Sequence, residues 1–543
     1  MVAVKNQKQR RTPYLSEGVK ILLAVILCVA VLMPLGVMLF SLNAESLQKV
    51  FGSSSFGKVL ANTLISTALS TLLTLLLAYA MAMATQRCGI KCQGLFALLF
   101  TLPMLVPSIS HAVGLQILIG NNGSGLLPKL INGIFGRDVF TFSVHGLPGI
   151  VMGSLLYAFP VAYLMFADIL RYEDKTPYEA AKVMGISKWR QFTAITWPYL
   201  RRPLISVVFA VFSLIVTDYG VPARIGGQYA TLAKVMIETF NSYSQTRLQE
   251  SGVYGMLLMV PALAAFFFDF FSKDKGNSAY VLKQEQQPVS GGVKAIAYAG
   301  CGLMSLFILS PIVSFIVAAF VKTFPVDMSV TWQHFPDVLR AGAGQALGNS
   351  LLIAMFAAVI GTAIAFLTAY FTARMPSISS RFLHLASITT GALPGLVLGL
   401  SYMMTFRGSL IYGTLVILIM ANTVHFLSSP YLMMYNSLSK INENLEAVGE
   451  TLGVSRFRMI KDVFLPRCAG TLVEMFVYFF VNCMITISAV TLLKGDNNKP
   501  LSLLLTQYSD TGALSKLAVI SLVILAVNLV IKGVAWLCRR VTQ

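Results

Sequence analysis

Long apolar segments restrict this chain to one class of fold. Several of them exceed the roughly 20 residues that a helix needs to cross a bilayer. Hydrophobic residues make up 56% of the 543 positions and charged residues only 12%, about half the charged fraction of an ordinary soluble protein. The sequence therefore predicts an all-α polytopic membrane protein. Twelve spans fit, at about 19–42, 57–85, 95–119, 146–170, 202–221, 253–272, 293–321, 347–373, 382–404, 409–437, 469–492 and 514–537.

The net charge of +19 raises the question of nucleic-acid binding. That class is disfavoured because the basic residues cluster in loops beside apolar spans, the distribution that orients a membrane protein. With the N-terminus inside, the loops assigned to the cytoplasm are more basic than the outer loops, which predicts that both termini are cytoplasmic. The first apolar run is longer than the core of a signal peptide, and no clear A-x-A cleavage site follows. A retained helix is therefore predicted.

One polar, basic stretch between two apolar spans, Thr176–Pro198, is predicted to form a helix, a turn and a second helix. Thr176 can cap the first helix, and Glu179 completes a T-x-x-E capping box. Gly185 stops that helix, because glycine enters the left-handed conformation cheaply. Ser187 can cap the second helix. Taken alone, this stretch is either a hairpin shaped for a partner protein or an ordinary amphipathic connector.

A second copy of the stretch decides between these alternatives. It runs from Asn444 to Pro466, with its central glycine, Gly453, 268 positions after Gly185. Glycine and proline are 13 residues apart in both copies. The matched pairs are Ser187 and Ser455, Arg190 and Arg458, and Ile195 and Val463.

Other pairs recur at a spacing of 287: Asn62-Thr63 with Asn349-Ser350, and Pro107 with Pro394. The shorter spacing of the hairpins implies extra sequence in the first half, which the polar loop Gly120–His145 can accommodate as a flexible outer loop. The repeat predicts a tail at 1–18, a first six-helix half at 19–272, a cytoplasmic linker at 273–292 and a second six-helix half at 293–543. The paired loops lie at 176–198 and 444–466.

The first copy, E-A-A-x3-G-x9-I-x-W-P, resembles the EAA loop of ATP-binding-cassette importer permeases, E-A-A-x3-G-x9-I-x-L-P. The second copy departs from the motif, because Ala447 stands where the motif has Glu and Glu446 comes one place early. The resemblance implies a fused permease of a bacterial cell membrane that contacts a cytosolic ATPase through both loops. The residues expected to dock it are Glu179, Ala180, Ala181, Gly185, Pro198, Glu446, Ala447, Gly453 and Pro466.

The same resemblance implies the partners and a substrate class. A cytosolic ATPase, in two copies, and an extracytoplasmic solute-binding protein are expected, together with membrane lipid. Segments such as T-D-Y-G-V-P and L-P-G-L-V-L-G-L-S-Y resemble fused permeases for 2-aminoethylphosphonate. Ferric-iron permeases are the alternative, and thiamine and polyamine permeases are related.

Polar residues inside apolar spans are the candidates for a translocation path, because such residues are expensive and often functional. The expected set is Asp218, Tyr219, Asn482, Thr486 and Ser488, with Ser108, Ser110 and His111 as further candidates. Asp218 either finds a partner inside the protein or is an outer-end residue already in water. The Ser, Thr and Asn side chains could instead bond neighbouring helices.

Motifs for other chemistry are missing. The chain has no G-x4-G-K-[ST] loop, so ATP hydrolysis is assigned to another chain, and no zinc-type spacing, so no metal or cofactor is expected. A twelve-span secondary transporter coupled to protons or sodium remains an alternative, although mid-membrane acids are sparse. A membrane enzyme would need dispersed catalytic residues that no motif indicates.

Overall fold

The computed structural model describes residues 14–120, 124–136, 142–171, 176–242, 245–272, 290–442, 444–495 and 497–542. Within these ranges the chain is almost entirely helical. We call residues 14–272 the first half and 290–542 the second half. Most of the predicted linker 273–292 lies outside the described residues, and so does most of the predicted tail 1–18.

The first half contains α1 (Tyr14–Phe40), α2 (Ala44–Phe51), α3 (Phe56–Arg87), α4 (Gln93–Thr101), α5 (Ser108–Leu118), α6 (Leu126–Phe135), α7 (Leu147–Arg171), α8 (Thr176–Val183), α9 (Lys188–Gln191), α10 (Trp197–Val216), α11 (Gly220–Ile225), α12 (Leu232–Phe240) and α13 (Gln245–Ser272). The second half contains α14 (Gly291–Phe320), α15 (His334–Val338), α16 (Gly344–Arg374), α17 (Ile378–Thr389), α18 (Gly395–Phe406), α19 (Leu415–His425), α20 (Ser428–Ser439), α21 (Leu445–Thr451), α22 (Arg456–Met459), α23 (Leu465–Arg467), α24 (Ala469–Ile485), α25 (Leu501–Asp510) and α26 (Leu514–Thr542). Short 3-10 segments (Leu102–Leu105, Thr390–Ala392) and π-helical segments (Phe192–Thr196, Leu339–Ala343, Ile460–Phe464) join some of these helices.

Seven of the described helices are long and apolar enough to cross a membrane. Five further candidates are bent pairs, so that the count reaches twelve when each pair is one span. The continuous third and ninth spans expected from the sequence are wrong in detail, since they bend by 103° and 108°. Pro107 and Pro394 stand at these bends, immediately before α5 and α18. Proline favours such breaks because it lacks a backbone N–H and disfavours helix in the preceding residue.

The loops that follow α5 and α14 contain ordered structure that the sequence did not predict. Helix α6 lies within the segment Gly120–His145, which was expected to be a flexible loop. After α14, the strands β1 (Val321–Thr323) and β2 (Asp327–Val330) pair antiparallel, with Val321 opposite Val330. We call these strands and their turn the β-ribbon.

The two halves interlock through their first helices. Helix α1 packs against α17 and α18 of the second half, and the Tyr402 hydroxyl donates to the Ala30 carbonyl at 2.7 Å. Helix α14 packs in turn against α4 and α5 of the first half, and the Lys91 amide donates to the Tyr298 hydroxyl at 2.6 Å. Each half therefore completes the packing surface of the other.

Matched hydroxyl groups show that the two halves share local structure. Thr63 Oγ1 accepts from the Leu232 amide at the start of α12, at 2.9 Å. Ser350 Oγ accepts from the Leu501 amide at the start of α25, at 2.7 Å. In both halves the hydroxyl satisfies a backbone N–H that a helix start leaves unpaired. The neighbouring asparagines also bond to backbone carbonyls, Asn62 to Ala230 and Asn349 to Asn497 and Lys499.

A fully buried lysine fastens α1 to the second half. Lys20 Nζ donates to Glu17 at 2.8 Å, to the Met375 carbonyl at 3.0 Å and to the Ser377 hydroxyl at 3.0 Å. The Ser379 hydroxyl donates to the same Glu17 carboxylate. The buried ammonium thus has three oxygen partners, which is what its removal from water requires.

Lys20→Ala is expected to lower the thermal unfolding midpoint of the chain in lipid, because removing one partner of a buried ion pair costs about 3–5 kcal/mol. Lys49→Ala is the matched control, since Lys49 forms an exposed pair with Glu45 at 2.6 Å. Differential scanning of both variants tests this. Equal midpoints for Lys20→Ala and the unchanged chain would show that Lys20 does not hold α1.

Candidate functional site

The first repeated stretch, Thr176–Pro198, which we call hairpin one, has the predicted helix–turn–helix form. Helix α8 ends in a turn in which Gly185 has φ +67°. The Ile186 amide donates to the Ala181 carbonyl at 2.9 Å, and the Gly185 amide donates to Lys182 at 3.1 Å. These two bonds form the glycine-terminated helix end that the sequence predicts.

The predicted side-chain cap at Ser187 is wrong, because in the described structure its hydroxyl makes no capping hydrogen bond. Gln191 instead ties the turn to the second helix: its backbone amide donates to the Ser187 carbonyl, as the first bond of that helix, and its side chain donates to the Ile186 carbonyl at 2.7 Å. Helix α8 begins at Thr176 itself. The capping box of Thr176 and Glu179 stays a prediction, because residues 172–175 lie outside the described chain.

The second stretch, Asn444–Pro466, which we call hairpin two, repeats this backbone with a constant offset of 268. Gly453 has φ +69°, and the Val454 amide donates to the Gly449 carbonyl at 2.9 Å. Helix α22 and the π-helical segment after it match α9 and its π-helical segment residue for residue. Such π-helical segments are often found at functional sites. No sequence signal indicated them.

A small buried residue is common to both hairpins. Ala181 is 1% exposed, and the matching Gly449 is also buried. A methyl group on Gly449 would lie 2.3 Å from the Met459 sulfur, so only glycine fits there with this packing. Ala181 therefore faces the inside of its hairpin and not a partner. The other expected docking residues differ in exposure: Glu179, Ala180, Gly185, Pro198, Gly453 and Pro466 are exposed, whereas Ala447 and Glu446 are half-buried.

Each hairpin presents two large apolar side chains at matched positions. Met184 and Trp189 are 67% and 73% exposed on hairpin one. Leu452 and Phe457 are 73% and 77% exposed on hairpin two. Sequence reasoning missed these residues, although an apolar residue at the same place in two otherwise polar copies was a usable signal. A helix that offers an apolar anchor suits insertion into a groove of a partner.

An arginine fixes hairpin two to the membrane helices. The Arg374 guanidinium at the end of α16 binds both carboxylate oxygens of Glu446. It also donates to the carbonyls of Ile441 at 2.7 Å and Asn442 at 2.8 Å. The Arg374 side chain is 3% exposed. Glu446, expected to dock a partner, is thus held within the chain by a bidentate ion pair, which is strong and geometrically specific.

The same position in the first half uses different chemistry. Arg87, at the end of α3, lies over the Tyr178 ring with 5.2 Å to the ring centre. The Tyr178 hydroxyl bonds to Thr196 Oγ1 at 2.8 Å. Arg87 and Arg374 are 287 residues apart, and Tyr178 and Glu446 are 268 apart, so both pairs occupy equivalent places in the repeat. Arg87 thus makes a cation–π contact at the place where Arg374 contacts Glu446.

Both hairpins lie at one end of the helix bundle. Four contacts fix this placement: Tyr298 with Lys91, Leu105 with Asn528, Ser110 with Ser521, and Glu474 with Arg539. From Lys91 to Gly114 the neighbouring residue on α14 advances from Tyr298 to Pro311. From Leu105 to Ser110 the partner on α26 goes back from Asn528 to Ser521. The start of α14 and the end of α26 are therefore at the same end as the end of α3 and the beginning of α24.

Asp218, the sharpest of the predicted path residues, is not in water. Its side chain is buried and accepts from the amides of Gly220 at 3.2 Å and Val221 at 3.0 Å. The Ser108 hydroxyl lies beside this turn, where it leaves no room for a side chain on Gly220. Asp218 therefore has internal backbone partners at the start of α11, and its place in a translocation path stays a prediction.

Tyr219, the next residue, lines a cavity of about 160 Å³ between the two halves. Lys234 and Glu238 of the first half and Thr506 and Ser509 of the second half also line it. Beside it, Arg224 donates to the Ser509 carbonyl at 2.6 Å. The cavity lies at the end of the bundle opposite the hairpins.

The remaining candidates for a translocation path have different surroundings in the structure. Ser488 lies beside the other bend, where a methyl group on Gly395 would come within 2.4 Å of the Ser488 hydroxyl and 3.1 Å of His425 Nε2. Asn482 donates to the Tyr478 carbonyl within its own helix, at 2.8 Å. Thr486 is buried, and its carbonyl accepts from Ser502 at 2.7 Å. Among the residues that the structure describes, no cluster of three or more His, Cys, Asp or Glu side chains could hold a metal.

The family of binding-protein-dependent transport system inner membrane components matches residues 75–273 and 361–542. Each matched segment contains one hairpin. The chain belongs to this family. Together with its apolar helices, membership makes the chain a multi-pass protein of a bacterial inner membrane.

Several members of the family are similar over much of the chain. A putative ferric transport system permease protein of Haemophilus influenzae is 24% identical over 72% of this chain and 63% of its own length. The ferric transport system permease protein of Actinobacillus pleuropneumoniae is 22% identical over 83% of this chain and 66% of its own. The thiamine transport system permease protein of Escherichia coli is 22% identical over 72% and 74%. The chain thus spans slightly less than two thirds of the two ferric permeases.

Arg374→Ala is expected to loosen hairpin two, because a buried ion pair that loses one partner costs about 3–5 kcal/mol. Amide hydrogen exchange across residues 445–459, measured on the full chain in a bilayer, should rise severalfold as this segment opens locally. Arg458→Ala is the control, since Arg458 faces Asp462 at 3.8 Å on the surface. Unchanged exchange in Arg374→Ala would contradict the anchoring role.

Proposed function

We propose that this chain is the membrane-spanning permease of an importer driven by a separate ATP-binding-cassette ATPase. The observation that carries the proposal is the pair of matched hairpins, each with an exposed apolar pair on the same backbone frame at the same end of the bundle. Two equivalent docking points suit two copies of one ATPase, since each copy would meet the same backbone shape with a large apolar side chain at the same place. Family membership supports this assignment.

In this proposal the hairpin end faces the cytosol. Basic residues on both hairpins and at the end of α26 support this orientation, because loops that stay inside carry an excess of Lys and Arg. The C-terminal pair, Arg539 and Arg540, lies at that end. Both termini are then cytoplasmic, and ATP is available where the hairpins are exposed.

Coupling follows from how the hairpins are attached. When two ATPases close on ATP, a force on hairpin one passes through Arg87 to the end of α3. A force on hairpin two passes through Arg374 to the end of α16. Each force also passes along the chain through the π-helical segments into α10 and α24. The residues around Asp218 and Ser488, at the far ends of these two helices, lie beside the bends at Pro107 and Pro394. Movement at the hairpins can thus reach the seam between the halves.

At the end of the bundle opposite the hairpins, substrate is proposed to enter between the two halves. An extracytoplasmic solute-binding protein would deliver it there. The cavity beside Tyr219 supports this, since it is polar and both halves contribute to it. Most of the selection among solutes would then be made by the binding protein.

Ferric iron is the proposed substrate. Relatives named as ferric transport permeases match 72% and 83% of the chain. These relatives favour iron over the 2-aminoethylphosphonate expected from the sequence. Thiamine is the second candidate, because the Escherichia coli thiamine permease matches 72% of the chain.

Trp189→Ser and Phe457→Ser are each expected to weaken ATPase binding about tenfold or more, since a buried aromatic anchor contributes about 2 kcal/mol or more. The double variant should lose the ATPase on purification. Leu410→Ser, at a side chain 98% exposed at the opposite end, is the control and should retain it. Normal retention by the double variant would overturn the docking proposal.

Cells that lack the chain are expected to lose uptake of radiolabelled Fe³⁺ and to regain it when the chain is restored. Uptake should stop on ATP depletion and survive collapse of the proton gradient. Parallel assays with labelled thiamine and 2-aminoethylphosphonate serve as comparisons. If cells that lack the chain lose uptake of thiamine or 2-aminoethylphosphonate and keep uptake of iron, that solute is the substrate and iron is not. Uptake that follows the ion gradient would indicate a secondary transporter.

A further inference from the structure

Helix α6 carries an apolar surface that the described protein does not cover. Leu130, Ile134 and Phe135 are 62%, 70% and 67% exposed. The start of the helix is fixed, because Pro128 is buried and Gly125 lies against the end of α5 with no room for a side chain. The apolar side chains therefore point outward from a helix that is held in place.

The β-ribbon of the second half adds to this surface. Val326 and Val330 are 85% and 76% exposed, and Trp332, just after β2, is 70% exposed. Lys129 on α6 donates to the Pro325 carbonyl at 2.5 Å, which joins the two elements. We call α6 together with residues 321–332 the outer platform.

The outer platform lies at the end of a membrane span. Strand β1 starts at Val321, immediately after α14 ends at Phe320. The Trp332 ring packs on Phe320 with 4.7 Å between ring centres. Because α14 is long and apolar enough to span a bilayer, this cluster is at the level where hydrocarbon meets headgroups.

The composition of the platform fits that level. Tryptophan is enriched at membrane interfaces, and lysine reaches from there toward headgroup phosphates. Lys129 and Lys322 are both exposed on the platform. Exposed apolar side chains also occur on α14 near this end, where Val313 and Ile316 are 54% and 47% exposed.

From this geometry we infer that the outer platform lies in the lipid interface on the side opposite the hairpins, with its apolar side chains in the acyl boundary. Amphipathic elements bind a bilayer in this way without spanning it. The extra sequence of the first half, which contains α6, would thus bind the membrane surface beside the β-ribbon of the second half. The inference is independent of the substrate and of the ATPase.

Tryptophan fluorescence of the full chain in bilayers tests this. A variant that keeps only Trp332, with Trp189, Trp197 and Trp536 changed to Phe, should be quenched by phospholipids brominated near the carbonyl end of the chain. Aqueous iodide should quench it several times less strongly. A variant that keeps only Trp189 is the matched control, because Trp189 is 73% exposed on a hairpin and should show the reverse.

Adding Ile134→Trp to a background without other tryptophans tests α6 separately, with the same expectation. Quenching of Trp332 by iodide and not by brominated lipid would overturn the inference. A platform that instead binds a partner protein would stay open to iodide in the bilayer until the solute-binding protein is added. Circular dichroism of each variant confirms that the helices are retained.

Discussion

An arginine at the end of the second span of each half holds a hairpin against the membrane helices. Arg374 does so through the Glu446 carboxylate, and Arg87 through the face of Tyr178. A guanidinium suits both places because it is planar, always charged and able to pair with carboxylates or stack on rings. This attachment adds to packing contacts such as that of Phe464 of hairpin two on Tyr370 of α16, with 5.5 Å between ring centres, so that force applied to a hairpin reaches the bundle.

The duplication preserves backbone geometry more strictly than side-chain chemistry. Both hairpins keep a glycine in the left-handed conformation and a small buried residue at the same places, because L side chains rarely adopt that turn conformation and because the Met459 side chain already fills the space beside Gly449. The anchors and the exposed apolar pairs differ between copies, because several side chains can satisfy one contact. A partner protein that contacts both hairpins therefore meets the same backbone shape twice, with different side chains on the surface.

Sequence reasoning reached what depends on local pattern. Span positions follow from apolar length, and the turn at Gly185 follows from the conformational freedom of glycine. It failed where a contact joins distant residues: the partner of Glu446 lies 72 residues away, and the Ser108 hydroxyl lies against Gly220, beside Asp218. The prolines were visible, but the size of a bend depends on the helices packed around it. Helix α6 was missed because its turn-rich surroundings suggested a loop.

The central claim is that the hairpins are two equivalent docking points for one kind of ATPase. Electron cryomicroscopy of the chain purified with its ATPase tests it most directly. The account predicts two ATPase copies at one end of the bundle, with Trp189 seated in a groove of one copy and Phe457 in the same groove of the other. A complex with a single ATPase copy, or with ATPases that contact the bundle away from the hairpins, would contradict it.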